Sequence, residues 1–246
     1  MKKLLLSLLA FLLLWAAVAA LVDKPFLPGP AASLAALVRQ TAEGALHGHL
    51  LVSFMRIMAA QAAAFIPALL LGLAAGLSRP VDAALTPLMY LLFPVPKVAL
   101  LPVILLFLGL GNLSKVFLVA LILFFQFYLS IRDETRHMDR RYFDSLYSLG
   151  GSRGDLLKHV IIPALLPRIF STFRLTLGTS TAVLFLAETF ATREGLGYYI
   201  MESWSRLNYD EMYAGILGLS LMGFILFLLV EGLERKFCRW SRTHSD

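Results

Sequence analysis

This sequence contains little charge and almost no cysteine, and each shortage excludes a class of protein. Only one of its 246 residues is a cysteine, Cys238, which excludes an internal disulfide and a cysteine-based metal site. Charged residues make up 15% of the chain and hydrophobic residues 59%, whereas soluble domains carry about 25% charged residues. Most of the chain is therefore expected to lie in lipid rather than in water.

The chain also shows no motif for handling nucleotides, metals or nucleic acid. A Gly-x-x-x-x-Gly-Lys-[Ser/Thr] loop, which cradles phosphates, is absent, because the nearest stretch, GGSRGDLLK, lacks the Gly-Lys-Ser/Thr ending. His47 and His49 alone make a poor metal site. The net charge of +6 comes mainly from basic residues that flank apolar runs, where membrane topology explains them without nucleic acid. We therefore predict a non-catalytic chain that holds no cofactor of its own.

Long apolar segments are what the sequence has in abundance. A helix crosses a hydrocarbon core of roughly 30 Å with about 20 residues, and these segments show no strand-like alternation. We therefore predict an all-α membrane protein with about six transmembrane helices. The predicted spans are residues 4–22, 51–77, 83–109, 114–131, 164–190 and 212–233.

Two of the predicted spans have features of their own. The first follows two lysines, as a signal peptide does, but its apolar run exceeds the usual length of about 7 to 15 residues, so we expect a retained anchor. The third contains Pro94, Pro96 and Pro102. An interior proline removes a backbone hydrogen bond and clashes with the preceding turn, so we expect a kinked or broken helix there.

The basic residues predict how the chain is oriented. With six crossings, both termini and the segment between the fourth and fifth spans lie on one side of the membrane. Lys2 and Lys3, the tail, and that segment are all rich in basic residues, which the positive-inside rule places in the cytoplasm. We therefore predict cytoplasmic N- and C-termini.

A charged segment with paired glycines, residues 142–167, interrupts the apolar runs. Residues 140–149 contain no helix breaker and carry apolar side chains at helical spacing. This pattern predicts a short amphipathic helix that Gly150 and Gly151 end.

A second short helix is predicted to follow, with Ser152 as its cap and Asp155 three residues later as an acidic variant of the capping box. The apolar stripe of this helix is expected to pack against another surface. Two alternatives remain open: a groove of a partner protein, or the membrane surface and helix ends of this same chain. The stripe consists of Leu156, Leu157, Val160 and Ile161, and Pro163 and Pro167 mark the passage into the fifth span.

At these positions the residues resemble the cytoplasmic coupling loop of the membrane subunits of bacterial ABC importers. That family's pattern is Glu-Ala-Ala, three residues, Gly, nine residues, then Ile-x-Leu-Pro. The spacing is complete here from Asp144 to Pro163, and the identities match fully at Gly150 and Pro163 and depart at Ser145 and Leu146. The resemblance implies that the residues coupling to the ATPase are Asp144, Ser145, Leu146, Gly150, Gly151, Leu156, Leu157, Val160 and Pro163.

The resemblance covers roughly residues 50–235 and is greatest to the permeases for aliphatic sulfonates, taurine and nitrate. Two stretches carry it, LFPVPKVALLPVILLFLGLGNLSKVFLVAL and AETFATREGLGYYI. It implies a type I importer permease fold in the bacterial cytoplasmic (inner) membrane. The implied partners are a second permease copy in a homodimer, two cytoplasmic ATPase subunits that bind ATP and Mg²⁺, and an external solute-binding protein.

These expectations divide the chain into three segments. Residues 1–50 form an N-terminal transmembrane helix with an external amphipathic segment, and residues 51–235 form the permease core. The core includes the predicted coupling loop at about 132–163. Residues 236–246 form a cytoplasmic basic tail.

Polar residues at membrane depth are the candidates for the solute path, since ionisable groups are costly in lipid. Glu188 lies near the outer end of the fifth span, where it would line the path, gate it or cap the helix end. Arg174 matches an arginine found after the coupling loop in this family and would pair with a carboxylate or with helix ends. Ser180 and Thr181 suit either the solute path or close helix packing.

The function that the sequence predicts is the transmembrane subunit of an ATP-driven importer. It would form the translocation path for a small polar or anionic organic solute. The alternative is an autonomous secondary transporter or channel whose cytoplasmic loop is regulatory. Sulfonates, taurine, nitrate, bicarbonate and vitamin precursors all remain open as the solute.

Overall fold

The computed structural model describes residues 2–242, apart from the side chains of residues 2–5, 140, 153, 241 and 242. Residues 243–246 of the predicted tail and the charges of Lys2 and Lys3 therefore lie outside the described part. All regular secondary structure within residues 2–242 is helical. The α-helices in this range are α1 (Lys2–Val22), α2 (Pro30–Ala42), α3 (Ala45–Leu77), α4 (Arg79–Leu92), α5 (Leu101–Leu108), α6 (Asn112–Arg136), α7 (Arg140–Ser148), α8 (Arg153–Leu156), α9 (Ile162–Glu188), α10 (Leu196–Ser205) and α11 (Tyr209–Phe237).

Within the described residues, four helices are long and apolar enough to cross a membrane: α3, α6, the run Gly154–Glu188 that contains α9, and α11. A fifth candidate is a bent pair made of α4 and Lys97–Leu108. The apolar part of α1, Leu6–Val22, is shorter than the other candidates. The all-helical class and four to five candidate spans are thus established, whereas the sixth crossing and the orientation of the termini stay predictions.

The predicted break in the third apolar segment is confirmed. α4 ends at Leu92, and helix resumes at Lys97 with its axis bent by 80°. Pro96 and Pro102 lie at the starts of the helices that follow, where the missing N–H costs no helical hydrogen bond. The ammonium group of Lys97 donates to the carbonyl oxygens of Leu92 and Phe93 at 3.0 and 2.9 Å, so a cation caps the end of α4.

The chain packs as two compact units. The first unit comprises Met1–Met55 and Leu184–Met222, and the second comprises Arg56–Val183 and Gly223–Asp246. The predicted division at residues 50 and 235 rests on sequence features rather than on packing, and it stays a prediction.

In the first unit, aromatic residues and a glycine bring the helices together. The indole N–H of Trp15 in α1 donates to the carbonyl oxygen of Pro28 at 3.1 Å. The same ring stacks on Tyr213 of α11, with the ring centroids 6.0 Å apart. α11 also approaches α10 closely, because a Cβ placed on Gly215 would lie 2.7 Å from Ile200.

In the second unit, α3, α6 and α9 share an aromatic core. The rings of Phe65, Phe127 and Phe173 contact one another with centroid separations of 4.8 to 5.4 Å. α3 and α6 also meet through a glycine, since a Cβ on Gly76 would lie 2.5 Å from the Cβ of Thr135. Such small residues let the backbones of membrane helices approach closely.

Gly76→Ala is therefore expected to destabilise the protein, because the added methyl group has no room beside Thr135. Overpacking of this kind costs about 1–3 kcal/mol. Gly232→Ala in α11 is the matched control, because no atom lies within 4 Å of a Cβ at that position, and we expect it to be neutral or stabilising by up to about 1 kcal/mol. Thermal unfolding in detergent measures both variants, and equal melting temperatures would contradict the close contact.

Candidate functional site

α7, in the predicted coupling loop, is closed at both ends by the local sequence. The carboxylate of Asp139 accepts a hydrogen bond from the first turn at 2.9 Å. At the other end, the N–H groups of Gly150 and Gly151 donate to carbonyl oxygens of the last turn at 3.0 Å each, which is a Schellman motif. Gly150 has a φ of +80°, a conformation that glycine adopts without strain. The predicted helix and its glycine end are confirmed.

The predicted capping box after the glycines is also present. The N–H of Asp155 donates to the hydroxyl of Ser152 at 3.3 Å, and the N–H of Ser152 donates to the carboxylate of Asp155 at 2.9 Å. Residues 150–154 fit the letters Gly-x-Ser-x-Gly of a hydrolase nucleophile turn. Here, however, Ser152 follows a helix and its hydroxyl donates to Asp155 at 2.6 Å, so the serine serves as a cap.

The second predicted helix is not a separate short element. α8 continues through the π-helical turn Leu157–Ile161 into α9. In this turn the N–H of Ile162 reaches the carbonyl oxygen of Leu157, five residues earlier. The hydrogen-bond register thus shifts just before Pro163, which has no N–H to contribute. The prolines therefore lie within a continuous helix instead of separating two helices.

This continuity bears on the two alternatives left open for the apolar stripe. Leu156 and Ile161 are buried, with 7% and 1% of their surface exposed, whereas Leu157 is 38% exposed. Val160 and Pro163 are half-buried. Because the segment runs on into α9, part of its stripe packs inside this chain. This agrees with the second alternative, in which the same chain covers the stripe.

The more exposed surface of the loop is on α7 and the residue that follows it. Asp144, Ser145 and Gly150 are exposed, while Leu146 and Gly151 are half-buried. Large side chains on the same segment are also exposed, namely Tyr142, Tyr147 and Leu149. We use the name outer face of α7 for the exposed side chains Tyr142, Asp144, Tyr147 and Leu149, which lie on two sides of the segment, and Asp144 also borders the cavity described next.

A cavity of about 470 Å³ lies beside α7. It is bounded by the ends of α3 and α6, by the start of α4, and by α7 itself. Charged groups of both signs face it. The lining residues are Gly76, Leu77, Arg79, Thr135, Arg136, Met138, Phe143 and Asp144.

An ion pair that the sequence analysis missed joins α4 to α6 next to this cavity. Arg132 donates from Nε and Nη2 to the two carboxylate oxygens of Asp82, at 2.7 and 2.9 Å. Arg136 lies 3.5 Å from the same carboxylate, and the hydroxyl of Thr86 donates to it at 2.6 Å. Only 11% of the Asp82 side chain and 14% of the Arg132 side chain are exposed. The sequence feature that could have indicated this ion pair is the position of Asp82, an acidic residue directly beside an apolar run.

Glu188, a predicted path residue, ends α9 and is completely buried. Its carboxylate accepts hydrogen bonds from the hydroxyl of Ser53 at 2.8 to 2.9 Å and from the N–H of Gly197 at 2.9 Å. The hydroxyl of Ser53 in turn accepts from the N–H of Leu196 at 2.8 Å. The carboxylate therefore lies at the positive end of α10 and caps it.

The start of α10 is shaped around this carboxylate. A Cβ on Gly195 would lie 2.3 Å from the carboxyl carbon of Glu188, and a Cβ on Gly197 would lie 2.7 Å from its Cβ. Gly195 also has a φ of +105°, which favours glycine. This arrangement supports the capping alternative for Glu188, whose contact with solute stays a prediction.

The other three predicted path residues belong to the second unit, and each has a partner there. Arg174 of α9 forms an ion pair with Glu234 of α11, so one of its two expected kinds of partner is present. The hydroxyls of Ser180 and Thr181 donate to the carbonyl oxygen of Leu177 at 2.9 and 2.8 Å. Such bonds satisfy the hydroxyls within their own helix, as close packing requires.

α10 carries a tyrosine that stays uncharged at neutral pH. Burial raises the pKa of Tyr199 to about 12. The imidazole ring of His49 lies against it, with the ring centroids 5.5 Å apart. The buried face of α10 therefore carries an uncharged phenol at this position.

Comparison with known proteins places these features in a family. Residues 68–239 match the family described as binding-protein-dependent transport system inner membrane component. The chain belongs to this family. It is 32% identical to the taurine transport system permease protein of Escherichia coli (strain K12) over 95% of this chain and 88% of that protein.

Two further relatives show the same breadth of similarity. A Bacillus subtilis (strain 168) protein, named for aliphatic sulfonates transport, is 30% identical over 91% of this chain and 81% of its own. The formylaminopyrimidine transport permease protein of Halalkalibacterium halodurans is 24% identical over 95% and 94%. The similarity to each of these relatives covers more than 90% of this chain.

Glu188→Ala is expected to destabilise the permease by about 1–3 kcal/mol, because the N–H of Gly197 loses its buried acceptor. Glu188→Gln keeps one acceptor oxygen and nearly the same volume, so a smaller loss is expected. Glu43→Ala removes an exposed carboxylate and is the control, with an expected change within about 0.5 kcal/mol. Thermal unfolding in detergent compares the three, and a Glu188→Ala variant as stable as the control would disprove the cap.

Proposed function

We propose that this permease is the transmembrane subunit of an ATP-driven importer and that α7 transmits the movement of a separate ATPase to the membrane helices. The observation that carries this proposal is the outer face of α7. The helix is closed by its own caps, yet Tyr142, Tyr147 and Leu149 are 61%, 47% and 85% exposed. A short amphipathic helix of this kind suits a groove on a partner protein. Family membership supports an ATPase subunit as that partner.

The proposed assembly contains two copies of this chain, two cytoplasmic ATPase subunits and an external solute-binding protein. ATP and Mg²⁺ are held by the ATPase subunits. Each permease copy crosses the bacterial cytoplasmic membrane six times, with both termini in the cytoplasm. The bent pair formed by α4 and Lys97–Leu108 and the apolar α1 supply the two crossings beyond the four long helices.

The mechanism follows from how α7 is connected. Residues 137–139 join it to α6, and α8 with the π-helical turn Leu157–Ile161 joins it to α9. When the ATPase subunits close on ATP, α7 moves with them and pulls on both membrane helices. The path between the two permease copies then opens to the opposite side of the membrane.

The solute is proposed to be a small polar or anionic organic molecule. The names of the relatives, which include taurine and aliphatic sulfonates, favour a sulfonate as the first class to test. The external binding protein performs most of the selection. Arg174, Ser180 and Thr181 remain candidates for lining the path, and Glu188 is proposed to position α10 beside it.

Asp144→Lys is expected to weaken ATPase docking, because it reverses an exposed charge on the outer face of α7. In the reconstituted assembly, we expect the stimulation of ATP hydrolysis by the solute-loaded binding protein to fall at least about tenfold, a loss of about 1.4 kcal/mol. Glu134→Lys, an exposed charge reversal near the end of α6, is the control and should leave stimulation intact. Unchanged stimulation in Asp144→Lys would refute docking through α7. Solute flux in vesicles without any ATPase would instead support an autonomous transporter.

The orientation of the chain is testable by cysteine labelling in a Cys238→Ala background. Native Cys238 is 3% exposed, and burial raises the pKa of its thiol, so its background reactivity is low in any case. A cysteine at exposed Ser152 should react with a membrane-impermeant maleimide only after the membrane is opened. A cysteine at exposed Ser205 should react in intact cells. The reverse pattern would overturn the proposed topology.

A further inference from the structure

The end of α6 that leads into α7 is held to two other helices. Its Thr135 is packed against Gly76 of α3, where not even a Cβ would fit. Its Arg132 and Arg136 both point to Asp82 of α4, the first with two hydrogen bonds. The last turns of α6 therefore act on α3 through steric contact and on α4 through charge.

This end of α6 provides a direct route from α7 to α4. The cavity of about 470 Å³ lies between α7, which contributes Phe143 and Asp144, and the ends of α3, α4 and α6. α7 is joined to α6 by residues 137–139 alone. A displacement of α7 thus reaches the end of α6 through a short covalent connection, and the Arg132–Asp82 ion pair then links the end of α6 directly to α4.

The geometry of the contact between Arg132 and Asp82 is suited to transmitting movement from α6 to α4. A bidentate arginine–carboxylate pair fixes both distance and orientation. Because the pair is largely buried, separating it leaves two poorly solvated charges, and this penalty opposes independent movement of α4 and α6. Asp133, which also accepts from Arg132 at 2.6 Å, is 42% exposed and belongs to α6 itself, so it links no second helix.

We propose that Asp82 is a positioning residue for energy coupling, which makes α4 follow the movement of α6 when α7 is displaced. Since α4 begins the bent pair, the 80° bend then moves together with the coupling loop. This inference rests on the proposed function, in which an ATPase displaces α7. It adds that, among the contacts between α6 and the bent pair, the Asp82–Arg132 ion pair carries the movement of α6 to the start of α4.

The experiment uses the assembled permease and ATPase complex in nanodiscs, in a Cys238→Ala background, with an environment-sensitive fluorophore at one of two exposed positions. Ser148→Cys reports on α7 and Ala84→Cys reports on α4. ATP and Mg²⁺ are added, so no transported solute is required. In the otherwise native chain, we expect both reporters to respond.

In Asp82→Asn, the response at Ala84 is expected to fall at least about fivefold, while the response at Ser148 stays within about twofold of the native one. Asp133→Asn, the matched control, should leave both responses unchanged. Arg132→Gln should reproduce the loss at Ala84, and the double variant should lose no more than either single variant, because each acts through the other.

The possible outcomes test the positioning role of Asp82 separately from the proposed function. A native response at Ala84 in Asp82→Asn, with a native response at Ser148, overturns the inference and leaves the proposed function standing. A silent Ser148 reporter in the otherwise native complex overturns the proposed function itself. A loss at both positions in Asp82→Asn indicates a general structural defect and also overturns the positioning role.

Discussion

Hydrocarbon offers no hydrogen-bond partners, so every polar group placed in lipid has to be satisfied by the protein itself. This constraint explains the details of the fold better than hydropathy does. The carboxylate of Glu188 at the end of α9 is satisfied because the hydroxyl of Ser53 and the N–H of Gly197 donate hydrogen bonds to it. Where α4 breaks, Lys97 donates to the carbonyl oxygens that the missing turn leaves open.

The same constraint distinguishes α7 from the helices long enough to cross a membrane. A helix of nine residues cannot cross a membrane, and its caps close it without help from neighbouring elements. Its exposed tyrosines and leucine are consequently left on the surface. The segment that follows, in contrast, is continuous with α9 and buries Leu156 and Ile161. Local caps thus leave large side chains of α7 exposed, whereas continuity with the long α9 buries part of the apolar stripe that follows.

Two carboxylates show how this permease uses ionisable groups in or near the membrane. Glu188 holds the start of α10, and Asp82 holds the end of α6 through Arg132. In both places a carboxylate on one helix fixes the end of another. Ionisable groups within apolar runs can therefore hold helix ends in place as well as contact a solute.

The sequence by itself determined the features that depend on neighbours along the chain. Helical class, the proline break after α4, α7 with its glycine end and the Ser152–Asp155 box all follow from local propensity and capping. Tertiary structure decided the pairs that are distant in sequence, such as Ser53 with Glu188, 135 residues apart, and Arg132 with Asp82, 50 apart. It also decided which apolar side chains are covered, because lipid-facing and protein-facing residues are equally apolar and only packing distinguishes them.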